Sequence, residues 1–334
     1  MLIDSKDPLL SYLHSSGRVC ATVYTEGMER RDFLKRAVAG PASAQLIAAG
    51  RQIPKRTYRD NVKLSVIAFG GIVVVGMEQK DADREVAASV DRGINYFDVA
   101  PSYGQGEAEE KLGPALKPHR KNVFLACKTQ MRDAAGARAE LEHSLKRLHT
   151  DHFDLYQFHA VSSMDDVAKI LAPGGAAETF VKARQEGKVR FLGLSAHSAE
   201  AAIALMEGMK LDSILFPVNY VLFSQGNFGP QILAKAKEKG MARMALKGLA
   251  YTRWEKGEKR THPKCWYRPI ADPELAAKAL RFTLSQEITA AVPPGDERIY
   301  RMALDIAAGF KPMPKSEQEA LLASAKGVEP LFRA

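Results

Sequence analysis

Ile94-Asn95-Tyr96-Phe97-Asp98-Val99-Ala100-Pro101-Ser102-Tyr103-Gly104 is an apolar, β-prone run that ends in an acid, a proline turn and a tyrosine. A helical pattern follows at once over residues 107–117, so Asp98 and Tyr103 fall at the carboxyl end of a strand. In a barrel of alternating strands and helices that rim carries the chemistry. An acid on the last strand turn and a phenol a few residues later can converge on one mouth, whereas two residues buried mid-strand could not. Taken alone, the pair reads more readily as an Asp capping the next turn and a surface tyrosine. The rest of the chain decides between these readings.

Working outward, the same pattern recurs. Strands are predicted at 62–71, 94–100, 122–129, 153–160, 189–196, 213–220, 241–249 and 288–293, most of them with β-branched residues. Helical patterns lie between them at 81–92, 107–117, 137–149, 164–186, 199–209, 228–239 and 273–286, and a last one at 296–308 follows the eighth strand. Eight strand–helix pairs predict a closed α/β (β/α)8 TIM barrel over residues 61–312, with a C-terminal helical tail at 313–334. An open doubly wound sheet is disfavoured because no strand leads into GxGxxG; Gly104-Gln105-Gly106 continues as Glu107-Ala108-Glu109.

Composition narrows the function. Of 334 residues, 46% are hydrophobic and 26% charged, the profile of a globular protein with a large core. The formal net charge of +9 is spread along the chain, and no basic run is interleaved with aromatics. This favours a small anionic molecule, or plain solubility, over a nucleic-acid groove. Cys20, Cys127 and Cys265 are far apart and offer neither a disulfide framework nor a metal spacing. No uncharged apolar run is long enough to span a bilayer. A Gly-x-Ser-x-Gly elbow and a His-Glu-x-x-His helix are both missing, which removes the serine- and zinc-hydrolase classes.

Residues 1–60 form an N-terminal extension. Arg30-Arg31-Asp32-Phe33-Leu34-Lys35, followed by the Ala/Gly-rich stretch 37–50, resembles a twin-arginine export signal, with Glu29 where Ser or Thr is usual. Met28 then becomes a candidate start, and Ala42-Ser43-Ala44 has the small-residue character of a cleavage site. Export to the periplasm is expected on this reading; a short amphipathic helix on a cytoplasmic protein is the alternative.

Two further rim residues complete a set. The third strand ends Cys127-Lys128-Thr129 and the fourth ends Gln157-Phe158-His159. A tyrosine titrates near about 10, and a cation beside it lowers that value. Lys128 can supply the cation, Asp98 can hold it charged, and His159 can fix the direction of a substrate oxygen. Such a group suits protonation of the alkoxide left when hydride reaches a carbonyl carbon.

Phe97-Asp98-Val99-Ala100-Pro101-Ser102-Tyr103-Gly104, Cys127-Lys128-Thr129 and Asp154-Leu155-Tyr156-Gln157-Phe158-His159 resemble, in order, the three catalytic segments of the aldo-keto reductase family. The resemblance covers residues 60–310. It implies a nicotinamide cofactor laid across the strand ends, and a tetrad of Asp98, Tyr103, Lys128 and His159 with Tyr103 as general acid. It also implies cofactor contacts from Gly70, from Ser195 (with Ala196 in place of the usual Asn), and from Lys247, Gly248 and Leu249. Leu215 takes the place of a common glutamine. Pro294 and Gly295 lead into a helix N-terminus, which favours a phosphate. The resemblance implies NADP, with NAD as the alternative: Arg298 and Arg301 can bind a 2′-phosphate that Asp296 and Glu297 oppose.

The stretch 251–272 contains Lys256, Lys259, Arg260, Lys264 and Arg268 with Trp254, Trp266 and Tyr267. It reads as a flap over a pyrophosphate or as a solvated loop. The expected function is NAD(P)H-dependent reduction of a small carbonyl compound, or the reverse reaction. A cofactor-binding regulatory protein on the same fold is the rival.

Overall fold

The computed structural model describes residues 52–334. The paired arginines and the apolar run after them lie outside the described residues. The chain enters as an antiparallel hairpin of β1 (Lys55–Arg59) and β2 (Val62–Ser65). There follow β3 (Phe69–Gly70), α1 (Gln79–Asp91), β4 (Tyr96–Asp98), α2 (Glu107–Leu116), β5 (Phe124–Thr129), α3 (Ala134–Arg147) and β6 (Phe153–Val161). Next come α4 (Met164–Leu171), α5 (Ala176–Gln185), β7 (Val189–Ala196), α6 (Ala199–Gly208), β8 (Ser213–Pro217), α7 (Tyr220–Gln225), α8 (Pro230–Glu238) and β9 (Ala242–Leu246). The chain ends with β10 (Ala250–Arg253), β11 (Tyr267–Pro269), α9 (Pro273–Ser285), β12 (Ala290–Val292), α10 (Glu297–Ala308) and α11 (Lys315–Ser324).

Eight parallel strands run in the order β12-β9-β8-β7-β6-β5-β4-β3. The ring closes at its seam, where Ala68 N donates to Ala291 O and Ala291 N to Val66 O, each 2.9 Å. This is the (β/α)8 barrel expected from the alternation. Strand period two sorts the side chains. Tyr96, Phe124, Ala126, Leu155, Leu215 and Met244 fill the interior. Phe97, Leu125, Cys127, Tyr156 and Phe158 face the helices. The same parity sends Asp98, Lys128, Gln157 and His159 inward, one or two layers above that interior.

Three boundaries differ from the sequence reading. The first predicted strand, 62–71, is two pieces, because residues 62–65 pair with β1 instead of with the barrel. Tyr58 of that hairpin lies 5.1 Å from the Phe124 ring and 5.3 Å from Phe191, plugging the amino-terminal end. Strand β1 thus falls within the stretch 1–60 set apart from the barrel. The single helix predicted at 164–186 is broken at Pro173, before which Ala172 is extended at φ −64, ψ 158. The insertion 251–272 is not structureless, since β10 and β11 pair antiparallel at its two ends.

Helices leave the rim with built starts. Asp133, Ser163, Ser198, Asn219 and Asp272 each cap the next helix by accepting from a first-turn N–H. With the bottom plugged, the carboxyl rim is the barrel's open end.

Candidate active site

Lys128 stands at the centre of the rim. Its ammonium donates to the Asp98 carboxylate, to Tyr103 OH at 3.1 Å and to Val99 O at 3.2 Å. Lys128 and Asp98 are each 1% exposed. Two groups that the sequence reading did not single out steady the acid: Tyr96 OH and Gln157 Nε2 each donate to Asp98 Oδ2 at 3.2 Å. The signal for them was strand parity, since Tyr96 and Gln157 sit two residues before Asp98 and His159 on the same inward faces.

Tyr103 reaches the amine from a tight turn. The short helix Tyr103–Gly106 contains Gly104 at φ 60 and Gln105 at φ 56, and a Cβ on Gly104 would lie 2.9 Å from Val75 Cγ1. The His159 ring stands edge-on to Tyr103, with centroids 5.7 Å apart at 82°. Its Nδ1 is buried without a protein partner.

Electrostatics correct one expectation. The Tyr103 phenol is pushed above its ordinary value, because burial and Asp98 outweigh the opposing pull of Lys128. Tyr103 therefore holds its proton through the neutral range instead of being poised near it. Burial presses the Lys128 amine down, but Asp98 and Tyr103 more than offset this and hold it above its usual range. His159 is driven well below the usual imidazole range by burial, then by Lys128, His197, Arg132 and Lys247, so it is neutral.

The remaining expected residues fall into three places. Ser195, 2% exposed on β7, accepts from Ala160 N at 2.8 Å one residue beyond His159. Gly70 pairs with Asp98 across β3 and β4, and a Cβ there would come 3.2 Å from Val292 Cγ1. Lys247 follows β9 at φ 61, with its amine 3.3 Å from His197 Nε2. Gly248 packs on Thr283, and Leu249 is fully buried with its carbonyl accepting from Ile270 N at 2.8 Å. Leu249 thus serves the core and presents no side chain to the mouth.

Pro294, Gly295, Arg298 and Arg301 lie apart, at the start of α10. Gly295 is pressed so closely on Ile72 that a Cβ would lie 2.3 Å from its Cγ2. Arg298 is bound to both Asp296 oxygens and to Thr261 O, and Arg301 to Glu85. A cleft of about 1040 Å³ runs between α1, α10 and the segment at Lys264. Lys264 ties the insertion across this region, donating to Val73 O at 2.8 Å and to Glu297 at 2.6 Å.

Comparison with known proteins adds the following. The model of the Aldo/keto reductase family matches residues 67–290. Aldo-keto reductase YhdN of Bacillus subtilis is 34% identical over 170 residues, which span 47% of this chain and half, 50%, of that protein. Uncharacterized oxidoreductase YqkF of the same bacterium is 25% identical over 287 residues, 77% of this chain and 91% of that one. Among solved structures, the holo form of aldo-keto reductase AKR11C1 from Bacillus halodurans aligns with a TM-score of 0.64 at 22% identity. That alignment covers 85% of this chain and 100% of the other, and is a likeness of fold.

Proposed function

Because the chain belongs to the aldo/keto reductase family, we propose that it reduces an aldehyde or ketone to an alcohol, or runs the reverse, with Tyr103 as general acid. The observation that carries this reading is the continuous chain Asp98–Lys128–Tyr103 beside a neutral His159 at the barrel's open end. When bound, a nicotinamide dinucleotide supplies the hydride.

Each residue has one task. Tyr103 keeps its proton until the carbonyl oxygen gains charge and then delivers it. Lys128, kept charged by Asp98, stabilises the phenolate left behind. Neutral His159 hydrogen-bonds the same oxygen and directs it toward Tyr103. Tyr96 and Gln157 occupy one Asp98 oxygen, so that the other stays on Lys128.

The donor set fits a dinucleotide. Ser195 already accepts from Ala160 N, which leaves its hydroxyl proton free for an amide carbonyl. At the α10 start Gly295 is packed against Ile72 and Asp296 Oδ1 already accepts from Arg298 N, so a phosphate there would draw on the remaining first-turn N–H groups. A 2′-phosphate fits less well, since Arg298 and Arg301 are already held by Asp296 and Glu85. Expected in a fluorescence titration of the full chain is binding of both NADH and NADPH, with NADH about tenfold tighter. Glu85→Gln, which frees Arg301, is expected to narrow that gap. Failure of both cofactors to bind would remove the reductase reading.

Export is proposed on the sequence of residues 28–50. Replacing Arg30 and Arg31 by Lys is expected to retain the protein in the cytoplasm on cell fractionation; an unchanged location would end that idea.

A further inference from the structure

The rim holds one cation that the tetrad does not use, Lys247, which the family resemblance places among the cofactor contacts. Lys247 is 8% exposed, and its backbone is pinned by Asn219 Nδ2 and Ala250 N, both donating to its carbonyl at 3.0 Å. The other two buried or half-buried cations of the mouth are neutralised, Lys128 by Asp98 and Arg132 by Asp166. Among the described residues no carboxylate pairs with Lys247. Its amine instead donates to His197 Nε2 at 3.3 Å and faces the rings of Trp266 and Phe332, with 5.6 Å and 5.5 Å to their centroids. His197 is stacked on Phe332 at 4.9 Å. The C-terminal tail and the insertion thus meet over this amine.

A lysine this enclosed is seldom left without a counter-ion. Burial and Lys128 lower its pKa to about 7, whereas burial takes His197 to about 3 and keeps it neutral. Below about pH 7 the pocket therefore has one uncompensated positive charge to offer, on an amine walled by aromatic rings and adjoining the tetrad.

We propose that Lys247, beside His197 and between Trp266 and Phe332, receives a carboxylate of the substrate, so that the compound reduced is an oxo acid. This rests on the reductase reading given above. The carbonyl end then lies toward Tyr103 and His159, and the carboxylate end under the tail.

The test compares 2-, 3- and 4-formylbenzoate with their methyl esters. At least one acid is expected to exceed its ester by about 30-fold or more in kcat/KM, mainly through KM. In Lys247→Met that ratio falls to about one, and Lys247→Arg retains it. A readout without turnover is quenching of tryptophan fluorescence by benzoate, since Trp266 faces the amine. Lys128, His159 and His197 also face this space; both imidazoles stay neutral, and Lys128 is held charged. Benzoate affinity is thus expected to fall as pH rises from 6 to 8 in the wild type. The outcomes separate. Esters and acids reduced alike would overturn the oxo-acid proposal and leave the reductase reading intact. Benzoate bound through Lys247, with no aldehyde reduced, would remove the reductase reading and keep the anion site. ADP-ribose binding weakened in Lys247→Met, with benzoate binding unchanged, would assign the amine to the cofactor's diphosphate and overturn the proposal.

Discussion

Tyr103→Phe is expected to lower carbonyl reduction by about 10³–10⁴-fold in kcat, with the dissociation constant for NADH unchanged. The substitution removes one oxygen from the end of the Asp98–Lys128–Tyr103 chain and keeps the ring that packs edge-on against His159. Lys128 keeps Asp98 and Val99 O as partners, so the fold has no reason to change. The pH dependence has a defined sign. Because Tyr103 is raised above the ordinary tyrosine value, its proton is present throughout the neutral range. Reduction of the aldehyde of a neutral methyl formylbenzoate should therefore be level between pH 6 and 8 and decline only in strong alkali. The reverse oxidation, which needs the phenolate, should rise with pH. Unchanged turnover in Tyr103→Phe would favour the rival, a cofactor-binding protein whose tetrad does no chemistry.

Asp98→Ala carries the second large effect, on stability as well as rate. It strands the Lys128 ammonium at 1% exposure with Tyr103 OH and Val99 O as its remaining partners. Breaking a buried pair from one side costs about 3–5 kcal/mol. For a chain of this size that lowers Tm by roughly 10 °C. The double variant Asp98→Leu with Lys128→Met removes both charges and is expected to recover most of the lost Tm, yet remain inactive. Recovery of activity along with stability would mean that the pair is structural. The pair's pH dependence follows from Lys128, whose folded value is raised. Its contribution is fully present at neutral pH and is lost only as pH climbs through that raised value.

What the sequence determined by itself was whatever follows from local period and strand ends. Alternation of apolar strands with helices gave the eight-stranded barrel, and period two placed Asp98, Lys128 and His159 inward on neighbouring strands. The Pro101 turn then brought Tyr103 back to them. Parity alone could also have nominated Tyr96 and Gln157, because they share those faces. Tertiary structure decided the rest. Tyr58 belongs to a plug because its partners, Phe124 and Phe191, are distant in the chain and no periodicity links them. The sign of the Tyr103 shift is a balance between burial and one nearby cation, and burial is a property of the assembled mouth. By sequence Arg298 and Arg301 can bind a 2′-phosphate, but folding pairs them with Asp296 and Glu85. For Lys247 the resemblance implies a cofactor contact, and its unpaired amine emerges only with the tail's Phe332 and the insertion's Trp266 over it, because an unpaired charge is defined by what the fold leaves around it.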